Sequence, residues 1–253
     1  MSKRIYLFSF LILLLLSTGC APKLKPVKGD VPKLYYAYPS TLDSRARVLI
    51  SGIEDNQVIN GSRVTINFVV ENFRLGKKSK GGKGLAHHPK GAFIGLVVDN
   101  QAPLKVTDIK QPIVLEGLVP GVHTLRAYLS TSFGESLKNG ISIRTFYVQS
   151  KTGISPLDPN YPVLTVTMPD IEYPKRGKTV IIDYFITGGT LTQFFYRTKL
   201  TFDGKESILK QWQPYYLSGL SKGEHQFKLE LIDLDGKQIP GNYNKVEKVI
   251  TVK

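Results

Sequence analysis

The sequence predicts an all-β protein made of two tandem β-sandwich domains. Three observations carry the prediction: short runs in which apolar and polar residues alternate, turn-forming residues between the runs, and a long internal repeat.

The repeat is the most informative of the three. Gly117-Leu118-Val119-Pro120-Gly121-Val122-His123-Thr124-Leu125 returns as Gly219-Leu220-Ser221-Lys222-Gly223-Glu224-His225-Gln226-Phe227. Its flanks return too: Pro112–Leu115 as Pro214–Leu217, Val98-Asp99-Asn100 as Phe202-Asp203-Gly204, and Gly61–Val64 as Gly177–Val180. One domain is expected over residues 46–149 and the other over 163–253, each about the size of a single sandwich. Residues 150–162, with Gly153, Pro156, Pro159 and Pro162, read as the linker.

Within each copy the strand pattern is explicit. Val64, Ile66, Phe68 and Val70 alternate with polar Thr65 and Asn67, and Val180, Ile182, Tyr184 and Ile186 do the same later. Leu125, Ala127 and Leu129 correspond to Phe227, Leu229 and Leu231. Period two predicts one buried face and one wet face. Asp99-Asn100 and Asp203-Gly204 supply residues that tolerate positive φ, as tight hairpins require. No stretch shows sustained helical periodicity with caps.

This pattern resembles the immunoglobulin-like and fibronectin type III-like modules of bacterial surface proteins. The resemblance covers both copies. The Cys…Trp…Cys core of antibody domains is absent. The unit Gly121–Arg126, with Glu135–Asn139 shortly after it, is similar to bacterial envelope lipoproteins, a resemblance that carries no activity.

The N-terminus carries an address. Lys3 and Arg4 precede an apolar run from Ile5 to Leu16, closed by Ser17, Thr18, Gly19 and Cys20. That is the layout of a secretory signal, and the run is shorter than the roughly 20 residues a membrane span needs. Its end resembles the lipobox of bacterial lipoproteins, departing where the family prefers Leu three residues before the cysteine and this chain has Ser17. The resemblance implies a signal peptide over 1–19, cleavage before Cys20 and lipid on its thiol, hence a membrane partner. Ala21 in place of Asp, by resemblance to lipoproteins of enteric bacteria, favours the outer over the inner membrane. Plain signal-peptidase cleavage, leaving a soluble protein, is the alternative. Residues 20–45, with Pro22, Pro26, Pro32 and Pro39 among lysines, read as an extended, solvated tether.

Cys20 is the only cysteine among 253 residues, which excludes an intrachain disulfide and any cysteine-based metal or catalytic pair. The formal net charge of +14 falls to about +12 without the signal and favours acidic partners. A lysine-rich solvated surface is the simpler account of it.

Aligning the copies places an insertion of about a dozen residues in the first, within 76–91. Its Lys77, Lys78, Lys80, Lys83 and Lys90 among glycines read as a mobile cationic loop able to contact an acidic glycan or anionic lipid. Nucleic acid is disfavoured because the loop holds no aromatic residue to stack on a base. His87 and His88 are adjacent, would diverge on a strand, and are not assigned a metal. His123 and His225 recur at one repeat position, which points to a structural task such as closing a turn onto a backbone carbonyl. The hydroxyl-rich stretch Ser130–Ser136 reads as a turn, or as a small-ligand site. Trp212 and Tyr216 share strand parity and would form a platform for a sugar or a partner protein if their face is open. No catalytic residue and no cofactor is implied.

The functional expectation is a non-catalytic, lipid-anchored binding or scaffolding module of the bacterial envelope, contacting a protein, glycan or lipid. The alternative is an envelope enzyme or small-ligand carrier using the 130–136 loop and the histidines of the first domain.

Overall fold

The computed structural model describes residues 32–40, 43–153, 162–168, 170, 172–173, 179–188 and 195–253. The signal segment with Cys20, Gly177, Lys178, Phe194 and residues 154–161 of the linker lie outside that set.

All regular structure among the described residues is β. In chain order the strands are β1 (Leu34–Tyr36), β2 (Arg47–Ser51), β3 (Gln57–Ile59), β4 (Val64–Glu71), β5 (Phe93–Val98), β6 (Leu104–Val106), β7 (Ile113–Leu115), β8 (Gly121–Ser130), β9 (Ser142–Val148), β10 (Val163–Met168), β11 (Glu172–Tyr173), β12 (Thr179–Thr187), β13 (Arg197–Phe202), β14 (Lys205–Leu209), β15 (Tyr215–Ser218), β16 (Gly223–Ile232) and β17 (Lys245–Val252).

The first sandwich packs sheet β2-β4-β7 against sheet β3-β9-β8-β5-β6. The second repeats this order, with β10-β12-β15 against β11-β17-β16-β13-β14. In both, a short strand runs parallel to the last one, β3 with β9 and β11 with β17. The chain is therefore two copies of an immunoglobulin-like or fibronectin III-like sandwich. Each core holds the predicted inward residues, Ile66 and Leu125 in the first and Ile182 and Leu229 in the second, and adds others such as Leu96 and Phe146 in the first and Phe202 and Ile250 in the second.

Two expectations about the fold need correction. The first concerns the wet faces. β5 and β10 are buried along their whole length, and β8 is buried from His123 to Ser130. The second faces of these strands look toward the other sandwich. Val97 and Tyr128 pack on Phe185, with the Tyr128 and Phe185 rings edge to face at 5.6 Å. Phe133 packs with Met168 and Ile181. A Cβ on Gly95 would lie 2.1 Å from the Tyr128 ring, so the glycine gives that ring its place.

Polar residues share the junction, and most of their polar atoms are paired, Arg126 Nε being buried without a partner among the described residues. Arg126 is 1% exposed and donates to Thr165 Oγ1 at 2.7 Å and to the carbonyls of Leu164 and Asp99. Its guanidinium stacks 4.3 Å from the Tyr243 ring centre. Burial pulls its pKa down to about 10, against the favourable influence of Tyr243, Asp99 and Tyr128. Lys138 reaches across to Asp183, which is wholly buried.

The second correction concerns the tether. Leu34–Tyr36 lies inside the stretch expected to be solvated, yet it is an edge strand of the second sandwich. It pairs antiparallel with β15, Leu34 opposite Leu217 and Tyr36 opposite Tyr215. Leu34 and Ala37 are buried. Chain that precedes the first sandwich thus completes a sheet of the second, a strap across the pair.

Candidate functional site

The insertion sits between β4 and β5 and is held at both ends. Gly76 N–H donates to the Ala92 carbonyl at 2.9 Å, and Ala92 N–H donates to the Lys77 carbonyl at 2.8 Å. Its middle is fastened to the hydroxyl-rich turn after β8. Ser79 N–H donates to Ser132 Oγ and Ser132 N–H to Ser79 Oγ, both at 2.9 Å. His87 Nδ1 lies 2.7 Å from Ser132 Oγ, and His88 N–H donates to the Ser132 carbonyl at 2.6 Å. The His87 ring meets Phe133 edge-on at 5.6 Å. Gly82 and Gly91 explain the glycine content. Both have positive φ, and a Cβ would strike the Phe133 ring at the first and the Gly76–Lys77 backbone at the second. The expected mobile loop is a latched one.

This latch also uses up the hydroxyls of the turn. Thr131 Oγ1 accepts from Glu135 N–H at 3.0 Å, and Ser130 Oγ bonds the carbonyls of Thr131 and Glu135. The Glu135 carboxylate accepts from Ser40 N–H and Ser40 Oγ–H, tying the strap to the first sandwich. Burial raises the Glu135 pKa, helped by the charge of Asp183 and opposed by the Ser40 hydrogen bonds and Lys138. A small-ligand site on this turn would need hydroxyls that are already bonded within the protein.

The cations divide by position. Lys77, Lys78, Lys80, Lys83 and Lys90 are all exposed. Lys77, Lys78 and Lys80, with Arg74, line an open groove of about 800 Å³; Lys83 and Lys90 do not. Phe73, packed on the core of the first sandwich, also lines it, together with Ser40, Asn72 and Ser79. None of the four groove cations makes an ion pair among the described residues. Asp43, also in the groove lining, is tied to Arg45 at 2.8 Å, which holds its pKa down to about 2. The sequence reading found the lysines through the repeat but missed Arg74 and Phe73, which sit just past the end of β4.

His87 and His88 diverge, one to Phe133 and the other to Phe93, whose ring centre is 5.4 Å from that of His88. Burial lowers the pKa of both, aided by Lys78 at His87 and Lys105 at His88. No group of three or more His, Cys, Asp or Glu side chains able to hold a metal occurs among the described residues.

The repeated histidines close turns, as expected, and do more. His123 Nε2 bonds the Val119 carbonyl at 2.8 Å and His225 Nε2 the Ser221 carbonyl at 3.0 Å. Each Nδ1 bonds a carboxylate that sequence reasoning had used only as a turn former: Asp99 at 2.8 Å and Asp203 at 2.7 Å. The second oxygen of each Asp accepts the N–H of the residue after the histidine. Asp99 and Asp203 both take positive φ. With both ring nitrogens engaged, neither imidazole is free to accept a proton from a nucleophile.

At His225, burial lowers the pKa but the Asp203 hydrogen bond, the Ser221 carbonyl and the Asp203 charge together raise it above the ordinary value. A raised pKa means the native state holds the proton more tightly. The stabilisation is therefore full below about pH 6.5, the unfolded value, and is lost as pH rises through the native one. Urea midpoints of the parent and Asp203→Asn are expected to differ more at pH 5.5 than at pH 8.5. A gap that stays constant with pH would show that Asp203 does not raise the pKa of His225 in the native state.

Trp212 and Tyr216 do not form an open platform. Trp212 precedes β15 in a bend and packs on the core of the second sandwich. Tyr216 packs against Phe133, Met168 and Ile181 at the junction. Burial, with the charges of Glu135 and Asp183, pushes its pKa up to about 12. The bend breaks the parity on which the platform depended.

No protein-family model matches the chain, and no curated protein does. Among solved structures it is similar to the fibronectin(III)-like modules of Clostridium thermocellum CbhA, at 14% identity over 81% of this chain and 94% of that one, TM-score 0.29. It is similar to the D00-D0 domain of Intimin, at 12% identity over 81% of this chain and 99% of that one, TM-score 0.24. It is also similar to SGBP-B of the Bacteroides ovatus mixed-linkage glucan utilization locus, at 16% identity over 82% of this chain and 47% of that one, TM-score 0.24. Scores this low carry no weight for function or partner; the fold stands on the strand order of the two sheets in each copy.

Proposed function

We propose that the chain is a non-catalytic binding module of a bacterial envelope, held to a membrane by lipid on Cys20 and presenting its cationic first sandwich to an anionic partner. The observation that supports this reading best is the latched groove, whose four cations, unpaired among the described residues, stand on backbone held by the fold. The packed junction supports it too, because Tyr128 with Phe185 and Lys138 with Asp183 hold the two sandwiches together as one binding body. The spent hydroxyls and doubly bonded histidines count against the enzyme and carrier alternatives. Anchoring follows from the lipobox-like residues Thr18-Gly19-Cys20, and the outer membrane from Ala21. Two or more acyl chains on one residue give stable anchoring, since each buried CH₂ contributes about 0.8 kcal/mol.

The test is direct. Cys20→Ala is expected to abolish incorporation of a radiolabelled fatty acid and to release the protein from membranes on fractionation. A mutant that partitions into detergent as the parent does would refute the anchor.

A further inference from the structure

We infer that the groove beside the insertion is a binding site for an acidic oligosaccharide, a chain of sugar rings carrying carboxylate, sulfate or phosphate groups. This rests on the binding-module reading and goes further by naming the ligand chemistry and the residues that meet it.

The cations come first. Arg74, Lys77, Lys78 and Lys80 line one recess, are exposed, and have no acidic side chain paired with them among the described residues. Other surface cations, such as Lys83 and Lys90, are also unpaired among the described residues, but they are not gathered in one recess; several more are paired, as Arg47 is with Glu71 at 2.6 Å, Lys228 with Glu230 at 3.0 Å and Lys245 with Glu247 at 2.8 Å. The one acidic side chain lining the groove is neutralised internally by Arg45. A recess lined by one sign of charge concentrates counter-charged ligands.

Shape then narrows the class. At about 800 Å³ the groove is within the size range of ligand sites, roughly 300–1,000 Å³. A bilayer is a plane and cannot fill a recess, which argues against a lipid surface as the occupant. Phe73 both lines the groove and packs on the core, and aromatic side chains are suitable contacts for a sugar ring. The guanidinium of Arg74 supplies a planar fork that suits carboxylate and phosphate oxygens. The backbone is already set, because the Ser79–Ser132 double hydrogen bond and the Gly82–Phe133 contact fix the loop before any ligand arrives. Little ordering cost remains for binding.

The fold supplies its own control. Lys83 and Lys90 belong to the same insertion and are equally exposed, but lie outside the groove. A quadruple Arg74→Ser/Lys77→Ser/Lys78→Ser/Lys80→Ser variant of the full chain in detergent is compared with a Lys83→Ser/Lys90→Ser variant. The probes are a size-defined oligogalacturonate, dextran sulfate, neutral dextran, polyglutamate and phosphatidylglycerol vesicles, each over a salt series. The expected result is binding of both acidic glycans and not of neutral dextran, at least a tenfold loss in the groove variant, and less than a twofold loss in the control. The groove variant should also show a shallower salt dependence, having lost its charge contacts. Equal losses in the two variants would reduce the effect to general surface charge and overturn the site. Tighter binding to polyglutamate or to vesicles than to the glycans would overturn the ligand class. Binding of no probe by the parent would overturn the inference while leaving the Cys20 anchor to its own test.

Discussion

Lys138→Ala is expected to be among the most damaging single substitutions in the chain, with a loss of about 3 kcal/mol or more in urea unfolding. Its Nζ donates to Asp183 Oδ1 at 2.5 Å, to the Tyr184 carbonyl at 2.6 Å and to Ser136 Oγ at 2.8 Å. Lys138 belongs to the first sandwich and Asp183 to the second, so the pair bolts the two together. Asp183 is 0% exposed. Without the lysine it keeps, among the described residues, Ser136 N–H at 2.6 Å and Thr167 Oγ1–H at 3.1 Å, and a buried carboxylate loses its cation. Breaking a buried pair from one side typically costs about 3–5 kcal/mol, and the partial exposure of Lys138 puts this case near the lower end. The double variant Lys138→Met/Asp183→Asn separates charge from packing. The Asn carbonyl still accepts from Ser136 N–H, and no net charge stays buried, so more than half the loss should return. A loss within about 0.5 kcal/mol for Lys138→Ala would place the pair with exposed ion pairs, which contribute little.

How much of this was legible in the sequence depends on the distance between partners. Strands and cores were legible because Val64, Ile66 and Phe68, or Leu125, Ala127 and Leu129, state their parity locally, and the repeat doubled the signal. The junction was not. On β8 the intervening residues are Thr124, Arg126 and Tyr128, which read as a wet face. Threonine and arginine look the same in sequence whether water or a second sandwich satisfies them. Only Gly95, on the neighbouring strand opposite Tyr128, hinted that something bulky lay on that side. The Asp99–His123 pair was within reach: Asp and His are both duplicated, and two positions that recur together invite pairing. The groove was half legible. Repeat comparison exposes an insertion but is blind to Arg74 and Phe73, which precede it. The latch depended on Ser79 meeting Ser132, which are 53 residues apart and announced by no motif.

The strap was the least legible element, and removing it should have the second large effect. A chain that begins at residue 43 lacks β1 and is expected to be less stable than the parent by about 3 kcal/mol or more. Leu34 is 3% exposed within the core of the second sandwich, and burying a leucine side chain is worth about 1.5–3 kcal/mol. Tyr36 adds a ring contact with Tyr215 at 5.2 Å between centres. Lost with it are Ala37 N–H to the Pro214 carbonyl at 2.9 Å, Ser218 N–H to the Lys33 carbonyl at 3.1 Å, and the Ser40 bonds to Glu135. These count for less, because water replaces the partners of most exposed groups. The larger consequence is topological. Without β1, Tyr215–Ser218 becomes the edge of its sheet, and an uncovered edge is a template for pairing with another chain. The truncated protein should therefore show both a lower urea midpoint and concentration-dependent association in sedimentation. A synthetic peptide of residues 32–40 should reverse both when added in excess, since it restores the strand without restoring the covalent link. Substituting Leu34→Asp in that peptide should remove the rescue, because the charge would have to enter the core. If the truncated chain matches the parent in midpoint and stays monomeric, β1 is an ornament of the second sandwich and the stretch before the first is the solvated tether its prolines suggested.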